Sequence, residues 1–253
     1  IERSLVNMLE HFDYDRYDVD LLVFRHTGEL LPLVTDRVRL LPEERGLAAY
    51  RKSIAECFRD GQLASALVRL ACKYGARLKA LRHPVNREDA GAGYIQMQLV
   101  SKYMARLQRK RRERYDAAIS FSWPHDYTAR NVEANVKIAW IHTDYSSLSV
   151  DPGMDLEMWR SFDFLASVSP ACTRAFLSRY PELDGRVVEI ENITSPSFVR
   201  AMAGDGTPPP EMADDAADRS GRKPFRIVSV GRLSYAKGFD LAARALRLLH
   251  DRG

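Results

Sequence analysis

Cysteine is scarce in this sequence: only Cys57, Cys72 and Cys172 occur among its 253 residues. The odd number and wide spacing match neither a disulfide framework nor a set of metal ligands, which favours a reducing cytosol. Long apolar runs are also missing, since no segment approaches the roughly 18 residues needed to span a bilayer. The first residues contain no apolar core of a signal peptide. These absences lead us to expect a cytoplasmic protein, with a peripheral position on the inner face of a membrane left open.

A large excess of either charge is also lacking. Lysine and arginine total 38 against 34 acidic residues, so the net charge is +4 and the pI is near 9.0. This balance favours anionic partners only weakly, because the phosphates of a nucleotide, a lipid headgroup or a nucleic acid would all satisfy it. The 45% apolar content is that of an ordinary globular protein. Composition therefore leaves the function open.

The hydrophobic pattern alternates between short apolar runs and helical periodicity. Amphipathic spacing predicts helices over residues 1–11, 170–180 and 238–252, and a long helical region over 46–114 with breaks at 83–84 and 91–93. The predicted strands are residues 18–24, 37–41, 117–122, 137–142, 164–169, 186–191 and 225–230. Such alternation favours an α/β protein with a Rossmann-like parallel sheet and helices on both faces.

A change in composition divides the chain. Residues 204–223 contain three consecutive prolines, several acids and almost no large apolar side chain, which predicts a linker. We therefore expect one domain over residues 1–200, a linker over 201–223, and the start of a second Rossmann-like domain over 224–253. One strand and one helix cannot bury a core of their own, so we expect this second domain to be truncated.

The most informative motif is VGRLSYAKGFD at residues 230–240, where an apolar run meets a predicted helix. Gly231 permits a tight turn, and Arg232 and Lys237 flank the helix start, whose free N–H groups attract phosphate. Two cations at this place suit a diphosphate, and they can neutralise it without a metal. The alternative is that both are solvated charges at a strand-to-helix turn.

This motif is similar to the "VGRL…KG.D" signature that opens the donor domain of glycosyltransferase family 4, whose members have the GT-B fold of two facing Rossmann-like domains. In that family the arginine and lysine bind the donor diphosphate, which implies this role for Arg232 and Lys237, beside Gly231. The resemblance implies a hexosyltransferase that moves a sugar from a nucleotide diphosphate-sugar to an acceptor hydroxyl, with retention. It implies no metal and no bound cofactor, and a role in cell-surface polysaccharide or glycolipid synthesis.

Two upstream segments resemble the same family. Residues 140–144 (WIHTD) resemble its "WIH.D" active-site segment, which implies that His142, helped by Asp144, contacts the transferred sugar. Residues 2–5 (ERSL) resemble the end of its "GG.ER.L" loop, which implies that Glu2 and Arg3 lie beside the cleft and that the first strand precedes Ile1. The alternative for Glu2 is an exposed helix start, where its charge complements the dipole.

One further segment and one absence complete the resemblance. Residues 167–170 match the family's "VS" turn, which implies that Ser169 lines the cleft; the alternative for Ser169 is a helix N-cap. A glutamate pair of the family's donor domain would lie past Gly253. We therefore expect residues 1–253 alone to be inactive in catalysis.

A basic run begins at Lys102 and ends at Arg114 (KYMARLQRKRRER). It is interpreted either as the solvated face of a helix or as a surface that attracts anionic lipid near a lipid-linked acceptor. No stacking aromatics are interleaved among its arginines, so we do not expect a nucleic-acid partner. The expected partners are a nucleotide-sugar and a glycan or lipid-linked acceptor. The alternative function is a truncated or degenerate relative that binds membrane or proteins without catalysis.

Overall fold

The computed structural model describes residues 1–81, 92–204, 227–231, 233 and 237–252 of the chain. These residues belong to two units, Ile1–Thr194 and Ser195–Gly253. The predicted linker lies outside the described residues from residue 205 onward, as do the predicted helix breaks at 83–84 and Gly91.

The centre of the first unit is a parallel sheet. Four strands hydrogen-bond in sequence order, namely β3 (Arg114–Ser120), β4 (Glu133–Ile141), β5 (Phe164–Ser167) and β6 (Val187–Glu189). Two shorter strands, β1 (Asp20–Leu21) and β2 (Arg39–Leu40), pair in parallel as a separate sheet. Each of the six strands predicted before residue 192 overlaps one of these strands, so the prediction of an α/β protein with a Rossmann-like parallel sheet is confirmed.

Helices connect and flank these strands in the first unit. They are α1 (Glu2–Glu10), α2 (Arg45–Ala48), α3 (Ile54–Arg59), α4 (Leu63–Ala80), α5 (Gly93–Leu107), α6 (His125–Asn131), α7 (Pro152–Trp159) and α8 (Pro170–Arg179). Local signals explain several of the starts. Ser53 and Glu56 form a capping box before α3, and Asp151 and Ser169 cap α7 and α8, each followed by a proline in the first turn.

The prediction of one helical region up to Arg114 is wrong at its end. Helix α5 ends at Leu107, and Arg114 already pairs with Glu133 as the first residue of β3. The Asn131 side chain donates to the Gln108 carbonyl at 2.9 Å, and the Asn131 carbonyl accepts from the Arg111 amide at 2.7 Å. Pairing with a distant segment therefore holds residues 108–113 outside the helix that their local propensity favours.

Two buried clusters form the core of the first unit. One is built by α3, α4 and α5 around Leu47, Ile95 and Met104. The other lies between β4, β5, α7 and α8, with Trp159 and Phe176 near its centre. Among the described residues, no helix has both the length and the apolarity needed to cross a bilayer.

The second unit contains α9 (Pro196–Gly204) and α10 (Phe239–Asp251) among its described residues. The predicted helix over 238–252 is confirmed, and Gly238, whose φ of 59° suits glycine, is its N-cap. The predicted strand over 225–230 is wrong in its described part, because residues 227–230 form no strand and Val230 is 92% exposed. A strand needs a neighbouring strand to pair with its backbone N–H and C=O groups. The described residues of this unit contain no strand that residues 227–230 could pair with.

Candidate functional site

A cavity of about 290 Å³ opens where β3 and β4 end. These strands are parallel neighbours, and Ser120 lies opposite Ala139, so both carboxyl ends reach the same edge of the sheet. Ligands of open parallel sheets bind beyond this edge. Aromatic rings supply much of the lining, from Tyr94, Trp123, Trp140, Tyr145 and Trp159. Polar groups reach it from His125, Asp126, His142 and Asp155.

His142 follows β4 directly and lines the cavity. Its Nε2 lies 2.9 Å from the Phe121 carbonyl oxygen, and because a carbonyl only accepts, Nε2 carries the proton. Burial lowers the pKa of His142, which keeps the ring neutral near pH 7. In the neutral ring, Nδ1 is then a hydrogen-bond acceptor. The half-buried imidazole can therefore accept a hydrogen bond from a hydroxyl of a bound molecule.

A second histidine lines the same cavity. His125 is the first residue of α6, and its Nδ1 shares a hydrogen bond with the Ser120 hydroxyl at 2.9 Å. Its ring packs 5.0 Å from the Trp159 ring. Burial, with a smaller contribution from the charge of His142, lowers the pKa of His125 to about 4. Sequence reasoning missed His125, although its place five residues after β3 could have indicated the same edge of the sheet.

Two carboxylates also reach the cavity. Asp155 accepts hydrogen bonds from the Tyr180 hydroxyl at 2.7 Å, the Trp159 indole at 3.1 Å and the Gln98 amide at 3.1 Å. Burial raises the pKa of Asp155 and of Asp126. The three donors on Asp155 assign it a structural role, because they use most of its acceptor capacity. Within the part of the chain that the structure describes, no three His, Cys, Asp or Glu side chains converge as metal ligands would.

The other residues predicted for the cleft lie outside this cavity. Asp144 is exposed and accepts a hydrogen bond from the Ser146 amide at 2.8 Å, which lowers its pKa. The Ser169 hydroxyl accepts from the Cys172 amide at 3.2 Å as the N-cap of α8. Glu2 and Arg3 are exposed at the start of α1, whereas Ile1, beside them, lines the cavity. The structure thus brings His142 and the start of the chain together.

The predicted diphosphate residues belong to the second unit. Lys237 is exposed and precedes α10 by two residues. A Cβ built on Gly231 would lie 3.4 Å from the Phe239 ring and 3.7 Å from Cγ of Lys237, so the glycine lies against the first turn of α10. Arg232 lies outside the described residues.

Comparison with known proteins adds no relative: no family model and no curated protein matches this chain. The fold and the cavity define an α/β chain with a Rossmann-like sheet and a candidate site at the carboxyl edge of that sheet, in a cavity that His125 and His142 both line.

We expect acid to destabilise the fold through His125. Its pKa is about 4 in the folded chain against 6.5 for a free histidine, so the folded state binds this proton more weakly than the unfolded state does. The stabilisation is full above pH 6.5 and is lost as the pH falls towards 4. In His125→Gln, the free energy of unfolding measured by urea denaturation should depend less steeply on pH across that range.

The control is His11→Gln, on the exposed residue that follows α1; it should keep the slope of the unmodified protein. Part of the slope should survive in His125→Gln, because burial shifts the pKa of His142 in the same direction. An unchanged slope in His125→Gln would contradict the assignment.

Proposed function

We propose that this protein is a glycosyltransferase that moves a sugar from a nucleotide diphosphate-sugar to an acceptor hydroxyl, as a retaining GT-B enzyme of glycosyltransferase family 4. The observation that carries the proposal is the position of His142, which follows β4 at the carboxyl edge of a parallel sheet and lines a cavity. The resemblance of residues 140–144 to the family's active-site segment points to the same side chain.

The chemistry of the cavity suits a sugar. With Nε2 bonded to the Phe121 carbonyl, His142 offers Nδ1 to a sugar hydroxyl. Trp123, Trp140 and Tyr94 offer aromatic surface for the apolar C–H face of a sugar ring. The volume of about 290 Å³ is just below the roughly 300–1,000 Å³ usual for ligand pockets. In this proposal His142 positions the sugar. Asp144 lies outside the cavity two residues further along the chain, and its supporting role rests on the resemblance alone.

The departing diphosphate requires positive charge. Arg232 and Lys237 supply it in this proposal, by stabilising the charge that develops on the leaving group. Their assignment rests on the resemblance of residues 230–240. The position of Gly231 and Lys237 at the start of α10 supports it, because a helix N-terminus attracts phosphate. The acceptor in this proposal is a cell-surface glycan or a lipid-linked glycan, used at the inner face of a membrane.

The test is turnover by the product of the complete open reading frame, however far it extends on either side of residues 1–253. A panel of nucleotide diphosphate-sugars is incubated with the protein, and released nucleotide diphosphate is measured with and without candidate acceptors. The expected result is release that depends on one sugar nucleotide. Failure to bind or turn over any member of a broad panel would favour a non-catalytic binding module instead.

Lys237→Ala should lower kcat/KM for the sugar nucleotide by about tenfold or more, because it removes one cation from the diphosphate. The matched control is Arg247→Ala, which removes an exposed cation from α10 that pairs with Asp251 at 3.7 Å. Steady-state kinetics with the preferred donor measure both variants. Equal effects of Lys237→Ala and Arg247→Ala would show that Lys237 acts only through the overall positive charge of the protein and not by contact with the diphosphate.

A further inference from the structure

Helix α4 has an unusual distribution of side chains. Its buried residues are small: Ser65, Ala66, Cys72 and Ala76. Large apolar residues are exposed instead, and we name them the α4 stripe: Leu63 (57% exposed), Leu67 (58%), Tyr74 (56%), Leu78 (67%) and Leu81 (83%), the last directly after the helix. Spacings of four, seven, four and three residues place them on one helical face.

Packing explains why the small residues are inside. Helix α4 contacts α3 and α5, and a Cβ on Gly75 would lie 3.6 Å from a methyl group of Leu99 on α5. Small side chains let the two helices approach closely, so the large ones remain on the outer face. Four leucines and one tyrosine are exposed on this one face, and a contiguous row of exposed large apolar side chains, unlike scattered ones, indicates an interaction site.

The charges on α4 are all positive. The helix carries Arg69, Lys73, Arg77 and Lys79 and no acidic residue. Arg69 donates to the Tyr50 carbonyl and Lys79 pairs with Asp151, so both are used within the fold. In the described part of the chain, Lys73 and Arg77 form no ion pair, and the Arg77 guanidinium lies 5.8 Å from the centre of the Tyr74 ring.

We propose that the α4 stripe docks on a membrane surface that contains anionic lipid. An apolar face that includes a tyrosine and lies beside lysine and arginine has the chemistry of helices that lie in the interface of a bilayer. The stripe enters the boundary between headgroups and acyl chains, and Lys73 and Arg77 contact lipid phosphates. This proposal does not depend on sugar transfer.

Charge complementarity favours lipid over a second copy of this chain. A symmetric pair of α4 helices would bring the cations of one copy towards those of the other, with no acidic residue on either helix to offset them. An anionic lipid surface offers the opposite charge.

The basic run over residues 102–114 offers less free charge than its composition suggests, because Lys102 pairs with Glu157 at 2.6 Å and Arg111 with Glu44 at 2.7 Å. Membrane contact through this run stays a prediction.

The experiment is co-sedimentation of the full chain with vesicles of phosphatidylcholine, with and without about one-third phosphatidylglycerol. We expect binding to the anionic vesicles that weakens with added salt. The double variant Leu67→Gln with Leu78→Gln should lower the bound fraction at equal lipid by about tenfold or more, since two apolar anchors are lost. Glutamine is a good helix former, and both positions are exposed, so the fold should persist.

The matched control changes exposed leucines elsewhere in the first unit. Leu33→Gln with Leu40→Gln should bind vesicles like the unmodified chain, and Lys73→Gln with Arg77→Gln should lose the preference for anionic lipid. Circular dichroism checks that each variant is folded. The proposal is overturned if the unmodified chain does not sediment with anionic vesicles, or if the double variant binds equally well. It is also overturned, in favour of a second copy, if the chain binds no vesicles and the double variant turns a dimer into a monomer.

Discussion

If the proposed function holds, His142→Ala should lower the rate of the proposed sugar transfer by about 100-fold to 1,000-fold, the usual effect of removing one preorganised polar group from an active site. The imidazole follows β4, its Nε2 is held by the Phe121 carbonyl at 2.9 Å, and its Nδ1 is an acceptor for a substrate hydroxyl. Alanine removes both interactions. The measurement is kcat and kcat/KM for the preferred sugar nucleotide with the complete gene product.

Two further variants separate chemistry from folding. His142→Gln keeps an amide that can bond to the Phe121 carbonyl and should recover part of the lost rate. His11→Ala removes an exposed histidine and should leave the rate unchanged. Unfolding free energies are measured for all three, because a ring packed 4.6 Å from Phe121 also contributes to stability. Transfer at the unmodified rate in a folded His142→Ala variant would remove His142 from the mechanism and leave the proposed function without its main support.

Trp159→Ala should lower the free energy of unfolding by about 3–5 kcal/mol, the usual cost of deleting a large buried aromatic side chain. Trp159 is 2% exposed, and its ring lies 5.4 Å from Phe176 and 6.1 Å from Tyr145. Its indole N–H also donates to the Asp155 carboxylate at 3.1 Å. Alanine would leave a cavity and would remove one of the donors that satisfy this buried carboxylate.

Denaturant titration, monitored by circular dichroism, measures the loss of stability. A conservative variant separates the contribution of ring packing from that of the hydrogen bond. Trp159→Phe keeps ring packing and loses the N–H donor, so it should cost about 1–3 kcal/mol. Phe164→Ala, at a side chain that is 44% exposed, is the control for aromatic loss and should cost clearly less than Trp159→Ala. A loss of less than about 1 kcal/mol in Trp159→Ala would mean that the second core cluster does not stabilise the unit as its packing implies.

The candidate site was only partly predictable from the sequence. His142 could be found because it lies at the carboxyl end of a predicted apolar strand. In a parallel sheet the carboxyl ends of the strands share one edge, and ligands bind beyond that edge. His125 could not be found as easily, because it begins a helix of seven residues after an irregular turn. Its place near His142 depends on the pairing of β3 with β4, which joins residues about twenty positions apart.

Local periodicity by itself determined the alternation of helices and strands, the starts of α1, α8 and α10, and the parallel sheet that follows from alternation. These features depend on residues close in the sequence and on caps such as Ser169, so they can be predicted from the sequence. Tertiary structure alone decided that residues 108–113 leave the helix and that residues 227–230 form no strand. It also decided that the large side chains of α4 face outwards. In each of these cases the outcome depends on which distant groups are present to pair with or to pack against, and a local pattern does not contain that information.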